Sequence, residues 1–227
     1  MSENNISIII PAAGIGRRMK SYGPKPLIKV GNSTIIKNQI NLLRTYVANS
    51  NIVLVCGFKA DRLMNETPDF ILKVENELYE QTNVVRSIGM GLRASVNCSG
   101  VMIVYGDLVF NSEAIKHISF QTSSVVIAEI GMGDEEVGCI IGADNNLTHL
   151  MYDLAPKWGQ ISFFTGTELQ LLKRLCWDEK NNTKFGFEII NNIIDKGGNF
   201  NCIQNDKIKI IDIDSSKDIQ RAREILL

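Results

Sequence analysis

The chain has 227 residues, 44% of them hydrophobic, with 24 Lys and Arg against 25 Asp and Glu. That length suits one large domain with a substantial core, and the near-balance of charge supplies no basic field of the kind that nucleic acid or an anionic membrane attracts. The polar start "MSENN" and the lack of any apolar run of about 18 residues give no sign of a leader or a membrane span, so the expected location is cytoplasmic and the expected partners are small molecules, with the chain a monomer or a homodimer.

In chain order, the first predicted element is a strand at Ile6–Ile10, ending in the glycine turn "AAGIG". A helix at Thr34–Tyr46 follows, then strands at Ile52–Val55 and Phe70–Val74, a helix at Asn83–Ala94 and a strand at Val101–Val104. A short helix at Glu113–Ile118 precedes strands at Val125–Ile130 and Cys139–Ile141. Helices at Gly166–Cys176 and Phe187–Lys196, a strand at Ile208–Ile213 and a helix at Ser216–Leu226 complete the series. Continuous apolar runs such as "SIII", "NIVLV" and "VMIVY" indicate strands buried on both faces, as in a parallel sheet. The alternation therefore predicts a single α/β domain over 1–227: a Rossmann-like, mostly parallel mixed sheet flanked by helices. The stretch from about 125 to 165 reads differently. It is β-rich with glycine and asparagine turns, and is expected to form a small β insertion over the sheet.

The glycine turn carries the first chemical signal. A dinucleotide fingerprint needs GxGxxG and an acid about 20 positions on, whereas here the third glycine and the acid are missing. A P-loop needs Gly-Lys-Ser/Thr, which is also absent. What remains is a glycine loop whose N–H groups can meet phosphate oxygens, followed by Arg17, Arg18 and Lys25. Pro24 and Pro26 restrict the backbone on either side of Lys25 and so place its ammonium. A solvated basic loop is the plain alternative.

"PAAGIGRRM" followed by "PKPLIKVGNSTII" resembles the signature of the nucleotidyltransferases that make nucleoside-diphosphate sugars, CDP-choline and related compounds. The resemblance continues in order through "NELYEQTNVVRSIGMGL" (76–92), "VYGDLVF" (104–110) and "KIIDIDSSKDIQRAREIL" (209–226), and so covers nearly the whole chain. The length is similar to the short bacterial choline-phosphate cytidylyltransferase type.

The reaction this resemblance implies is attack by a phosphate monoester on the α-phosphate of a nucleoside triphosphate, with loss of pyrophosphate. Such a nucleophile has a second pKa of about 6 and needs no general base, which suits a chain with only two histidines. Catalysis then reduces to positioning and charge stabilisation. The family pattern puts Arg18 on the arginine that grips the triphosphate and Lys25 on the lysine that bridges the α-phosphate and the incoming phosphate. Arg17 falls at a variable position, as a nucleotide contact or a solvated side chain. Ala12, Ala13, Gly14, Gly16 and Gly106 fall on the nucleotide-binding loops. Thr82, Asn83 and Ser87 fall on the base and ribose segment, where Thr82 or Asn83 could equally cap the helix. "SIGMGL" is similar to a segment of methylerythritol-phosphate cytidylyltransferase, which points to CTP.

Asp107, after the strand "VMIVYG", matches the metal-binding aspartate and Asp214 its companion, with Mg²⁺ the implied ion; an ordinary turn or cap role for Asp107 is the alternative. Asp212 and Asp214 alternate with isoleucines and project to one face of a strand, leaving Asp212 as a supporting acid. For the acceptor, the region where relatives bind the monoester supplies Glu129, Tyr152, Lys157 and Trp158; "KFGFEII" adds Glu188, and Asp212 is a further candidate. Core or rim packing for Trp158 and Tyr152, an exposed strand position for Glu129 and a solvent-facing helix start for Glu188 are the plain alternatives. Acids beside aromatics suit a compact cationic or zwitterionic monoester such as phosphocholine, phosphoethanolamine or a phosphorylated amino-acid derivative. A sugar 1-phosphate is the alternative acceptor, and a non-catalytic nucleotide-binding protein the alternative class. A glycosyltransferase would carry Asp-x-Asp after a central strand, where "GDLVF" offers Asp107 alone.

Overall fold

The first apolar run forms a strand at Ile6–Pro11 that is buried along its whole length. It lies in the middle of the molecule, which a computed structural model describes over residues 5–16, 23–128 and 130–226. Three expected site residues, Arg17, Arg18 and Glu129, lie outside the described residues.

The elements run β1 (Ile6–Pro11), a 3-10 turn at Lys25–Leu27, β2 (Lys29–Val30), β3 (Ser33–Thr34), α1 (Ile35–Tyr46), β4 (Asn51–Cys56), α2 (Ala60–Glu66) and β5 (Leu72–Glu75). After these come α3 (Val84–Ala94), β6 (Gly100–Val104), β7 (Leu108–Phe110), α4 (Glu113–Lys116), β8 (Ser124–Ala128), β9 (Gly138–Ile141) and β10 (Leu147–Met151). The last are β11 (Lys157–Thr165), α5 (Gly166–Trp177), α6 (Gly186–Asp195), β12 (Asn201–Ile203), β13 (Ile210–Asp212) and α7 (Ser216–Leu226). β1 pairs in parallel with β4 and β6, and β4 with β5. The nine-stranded sheet continues β10-β9-β11-β6-β1-β4-β5, with β8 on β11 and β12 on β8. The fold is thus a mostly parallel mixed sheet with flanking helices, of Rossmann-like type.

Successive residues of a strand face opposite sides, and β1 shows the consequence. Ile8 and Ile10 enter the core beneath α1, with Ile36, Leu43 and Phe163. Ile9 enters the other, with α3, α5 and α6 through Ile88, Leu172 and Ile189. The helices can approach closely because of two glycines. A Cβ at Gly91 would stand 2.5 Å from Ile9 Cγ2, and one at Gly89 would stand 2.5 Å from the Cys176 carbonyl oxygen. At α1 the Thr34 hydroxyl caps the helix by accepting from the Lys37 N–H, one of the donors that a helix start leaves unpaired.

The stretch from 125 to 165 is strand-rich as expected, but it does not lie over the sheet. β8, β9, β10 and β11 are members of it. β11 runs antiparallel to β6, with Ile161 opposite Val104 and Thr165 opposite Gly100. The reason is burial: β11 is covered on both faces along almost all its length, so its backbone groups need ladder partners. The strand expected at Ile208–Ile213 is shorter, and pairs with β7 rather than with the main sheet.

All five cysteines are free, and Cys56, Cys139, Cys176 and Cys202 are buried. Burial pushes the first three thiols up to about 12 and Cys202 up to about 11, which makes them core residues and poor nucleophiles. Among the described residues no helix is long and apolar enough to cross a membrane.

Candidate active site

Three chain segments leave strands at the same end of the molecule: Ala12–Gly16 after β1, Tyr105–Asp107 after β6, and Ile213–Asp214 after β13. The carboxyl ends of strands in open α/β sheets form the ligand crevice. Here a cavity of about 700 Å³ opens there, and Ala12, Ala13, Gly14, Gly16, Thr82, Asn83, Ser87 and Gly106 all line it, together with Lys25 and Asp107. Two glycines have identifiable jobs. Gly106 sits where a Cβ would meet Ala12 Cβ at 2.9 Å, and its N–H donates to the Pro11 carbonyl at 3.1 Å. Gly16 has φ +59, and a Cβ there would stand 2.9 Å from Lys25 Cγ, so the glycine leaves room for the lysine stem.

Lys25 opens the 3-10 turn Lys25–Leu27, anchored by the buried side chains of Pro26 and Leu27. Its Nζ donates to Asp107 Oδ2 at 2.9 Å and to Asp214 Oδ1 at 2.5 Å, and lies 3.8 Å from Asp212 Oδ1. The side chain is only 12% exposed. Lys25 is therefore a partly buried cation with three carboxylate neighbours, not the solvated loop residue that remained open from the sequence. Burial works against its charge, but Asp107, Asp212 and Asp214 together hold the ammonium well above the usual lysine range.

A fourth acid completes the cluster. Gln160 Nε2 donates to Glu136 Oε2 at 3.0 Å and to Asp212 Oδ2 at 3.2 Å. Burial, then Asp214 and Asp107, push Glu136 up to about 7, with Lys25 opposing. Burial and Asp107 likewise raise Asp212. Glu136, Asp212 and Asp214 each offer an oxygen within 4.8 Å of the others, and Asp212 Oδ1 is buried without a hydrogen bond among the described residues. Hard oxygen donors of this kind fit Mg²⁺. The expected metal pair was Asp107 and Asp214. The structure groups Asp214 with Glu136 and Asp212, and joins Asp107 to them through Lys25.

On the opposite wall one residue organises the expected base-reading groups. Asn76, 2% exposed, donates from Nδ2 to Thr82 Oγ1 and to Ser87 Oγ, both at 3.2 Å. Its Oδ1 accepts from the Leu78 N–H, and Thr82 donates on to the Leu78 carbonyl. Asn83 is the α3 cap, its Oδ1 accepting from the Val84 N–H at 2.8 Å. Asn83 thus has the structural role left open for it, and lines the cavity as well.

The expected acceptor residues do not come together as a set. Trp158 is 3% exposed; its Nε1 donates to Ser162 Oγ and its ring stands edge-on to Tyr105. It is a core residue with no face for a ligand, because β11 is covered on both sides there. Lys157 Nζ donates to the carbonyls of Asp134 and Glu136, which pins the loop that presents Glu136. Glu188 Oε2 accepts from the Phe185 N–H at the start of α6. Tyr152 is joined to the cavity wall through two other rings. It packs edge-on against Phe187, which stacks on Phe185, and Phe185 lines the cavity. Burial, then the charges of Glu136 and Glu188, raise the Tyr152 phenol, and Glu188 meets the patch directly at the Phe185 N–H.

Reading the sequence missed Asn76, Glu136, Gln160 and Phe185. Asn76 follows directly on a strand and stands in the quoted 76–92 segment, which was its one available signal.

A profile of the MobA-like NTP transferase domain matches residues 8–142. The bifunctional protein GlmU of Buchnera aphidicola subsp. Schizaphis graminum is 29% identical over 119 residues, covering 52% of this chain and 25% of that protein. The 2-C-methyl-D-erythritol 4-phosphate cytidylyltransferase of Escherichia fergusonii is 33% identical over 57 residues, 24% of each. The matches thus span about a quarter of the length of these curated relatives. Among solved structures, the CTP:phosphocholine cytidylyltransferase of Streptococcus pneumoniae superposes with a TM-score of 0.75 at 20% identity, over 98% of this chain and 100% of that one. The inositol-1-phosphate CTP transferase of T. maritima gives 0.77 at 16% identity, over 100% and 96%. At these identities the likeness is one of fold.

Proposed function

The chain belongs to the MobA-like NTP transferase family, and from that premise we propose that it transfers a nucleoside monophosphate, CMP from CTP, to a small phosphate monoester with release of pyrophosphate. The observation that carries this reading is the placement of Lys25. Among the described residues, one ammonium lines the glycine-walled cavity, held by aspartates that follow two different strands. A nucleotide-binding regulator would need the glycine loop but not this charge cluster.

In the proposed reaction the monoester dianion attacks the α-phosphate and the bond to pyrophosphate breaks. The Ala12–Gly16 loop orients the triphosphate, with Arg18 supplying further charge. Asn76 holds the Thr82 and Ser87 hydroxyls against the nucleotide end of the cavity. Lys25 neutralises the charge that builds on the α-phosphate; a preorganised cation costs no reorganisation at that moment. Mg²⁺, held by Asp214 with Asp212 and Glu136, would add a second cation against the mutual repulsion of the two phosphates.

For the acceptor, the exposed aromatics Tyr152 and Phe185, with Glu136 and Glu188 beside them, favour a cationic or zwitterionic head group over a neutral sugar. A cation over such rings is worth about 0.5–2 kcal/mol. Tyr152→Ala is therefore expected to raise the KM for phosphocholine or phosphoethanolamine about tenfold, near 1.4 kcal/mol, with the KM for CTP unchanged. Steady-state kinetics on both substrates check this. Equal changes in both KM values would remove Tyr152 from the acceptor site. Efficient use of glucose 1-phosphate would move the protein to the sugar branch, and a tenfold preference for ATP or GTP would overturn the choice of CTP.

A further inference from the structure

The turn that delivers Asp107 is held from behind by a residue of α1. Gln39 is 2% exposed, and its Nε2 donates to the Tyr105 carbonyl and to the Leu108 carbonyl, both at 2.8 Å. A side-chain amide has two N–H donors, and here each meets one of the two carbonyls that bracket Gly106 and Asp107. The orientation of the amide is fixed by chemistry, since exchanging its nitrogen and oxygen would set three oxygens against one another. Without Gln39 the Leu108 carbonyl loses a buried partner, which native backbone rarely tolerates.

Two further contacts complete a frame around Asp107. The Gly106 N–H donates to the Pro11 carbonyl, and the Ile213 N–H donates to the Asp107 carbonyl at 3.2 Å. The turn is therefore tied to β1 in front, to the chain approaching Asp214 at its side, and to α1 behind. Of these ties only Gln39 is a side chain, so it alone can be removed by substitution.

We propose that Gln39 is a positioning residue: it fixes the turn from which Asp107 reaches Lys25, and through that pair sets the rate of the transfer step. Its catalytic consequence rests on the transferase reading above, while its structural core does not. Gln39→Met keeps an unbranched side chain of similar length and removes both donors. Amide exchange at Gly106, Leu108 and Ile213 is expected to speed up at least about tenfold, with Ile9 and Val53 inside the sheet unchanged, because loss of a local tie opens only the segment it held. The kcat should fall about tenfold while the KM for CTP stays within about twofold, since the Asn76 wall is untouched. In an Asp107→Asn background the same substitution should cost no further activity, as residues acting through one another are not additive.

Unchanged exchange at the three amides would overturn the proposal, and so would equal acceleration throughout β1 and β4, or an unaltered kcat. If Gln39→Met does not fold, the wild-type protein still decides: both Gln39 side-chain amide protons should be protected from solvent, and free exchange of either refutes the clamp. If the wild type releases no pyrophosphate with any substrate, the exchange data still test the clamp, and the transferase reading falls by itself.

Discussion

Lys25→Ala is expected to lower kcat by about 10²–10³, the usual cost of losing one preorganised contact to transition-state charge, and also to lower the melting temperature. The second effect follows from where the ammonium sits. It lies 2.9 Å from Asp107 and 3.8 Å from Asp212, and the side chains of Lys25, Asp107, Asp212 and Asp214 are 12–25% exposed. Removing one partner of a buried pair leaves carboxylates without compensation, at roughly 3–5 kcal/mol when burial is complete; partial exposure brings the expected loss below that range. In a chain of this size each kcal/mol lowers Tm by about 2–4 °C. Adding Mg²⁺ should restore part of the loss, since a divalent cation offsets the same carboxylates. Steady-state assays and thermal melts with and without Mg²⁺ check both effects. A variant that keeps more than about a third of wild-type kcat would refute the catalytic role, and an unchanged Tm would refute the electrostatic one.

The second large effect concerns the acids. Asp107→Asn and Asp214→Asn should each lower kcat by about 10² or more, on the same scale as one lost electrostatic contact, and each should raise the Mg²⁺ concentration for half-maximal activity. The two residues are far apart in sequence, yet both accept from one lysine nitrogen, so a shared phenotype is a strong result. Glu136→Gln should resemble Asp214→Asn in metal dependence, because their oxygens belong to one group. Mg²⁺ titrations of the activity of each variant provide the readout. Full activity of the wild type in excess chelator would remove the metal from the account.

The alternation of elements was legible because strands buried on both faces leave continuous apolar runs and helices leave a periodic one. β1, β4 and β6 all stand within a residue of their expected bounds. β11 was not legible. Its first residues, "KWGQ", look like a turn, and Gln160 adopts φ +56 where the pairing with β8 shifts register. Only the facing strands determine that this stretch stays extended, and the same facing strands turn Trp158 into the core.

The cavity was legible for a different reason. Glycines, Lys25 and Asp107 occur at spacings that recur in the resembling family. Glu136 was invisible because "GDEEVG" reads as a solvated acidic turn; it gains meaning when the fold sets it beside Asp214, Asp107 and Gln160. Gln39 was hidden for a similar reason, as one polar residue on the otherwise apolar buried face of α1, explained only by two carbonyls far along the chain.

Nucleotidyl transfer to a phosphate monoester must release one pyrophosphate for each new product. The protein is incubated with CTP and Mg²⁺, with and without phosphocholine or another compact monoester, and pyrophosphate and nucleotide products are quantified together. Pyrophosphate is expected only when the monoester is present, in equal amount to a CDP-linked product. No pyrophosphate with any of the four triphosphates across a panel of monoesters, sugar 1-phosphates included, would contradict it.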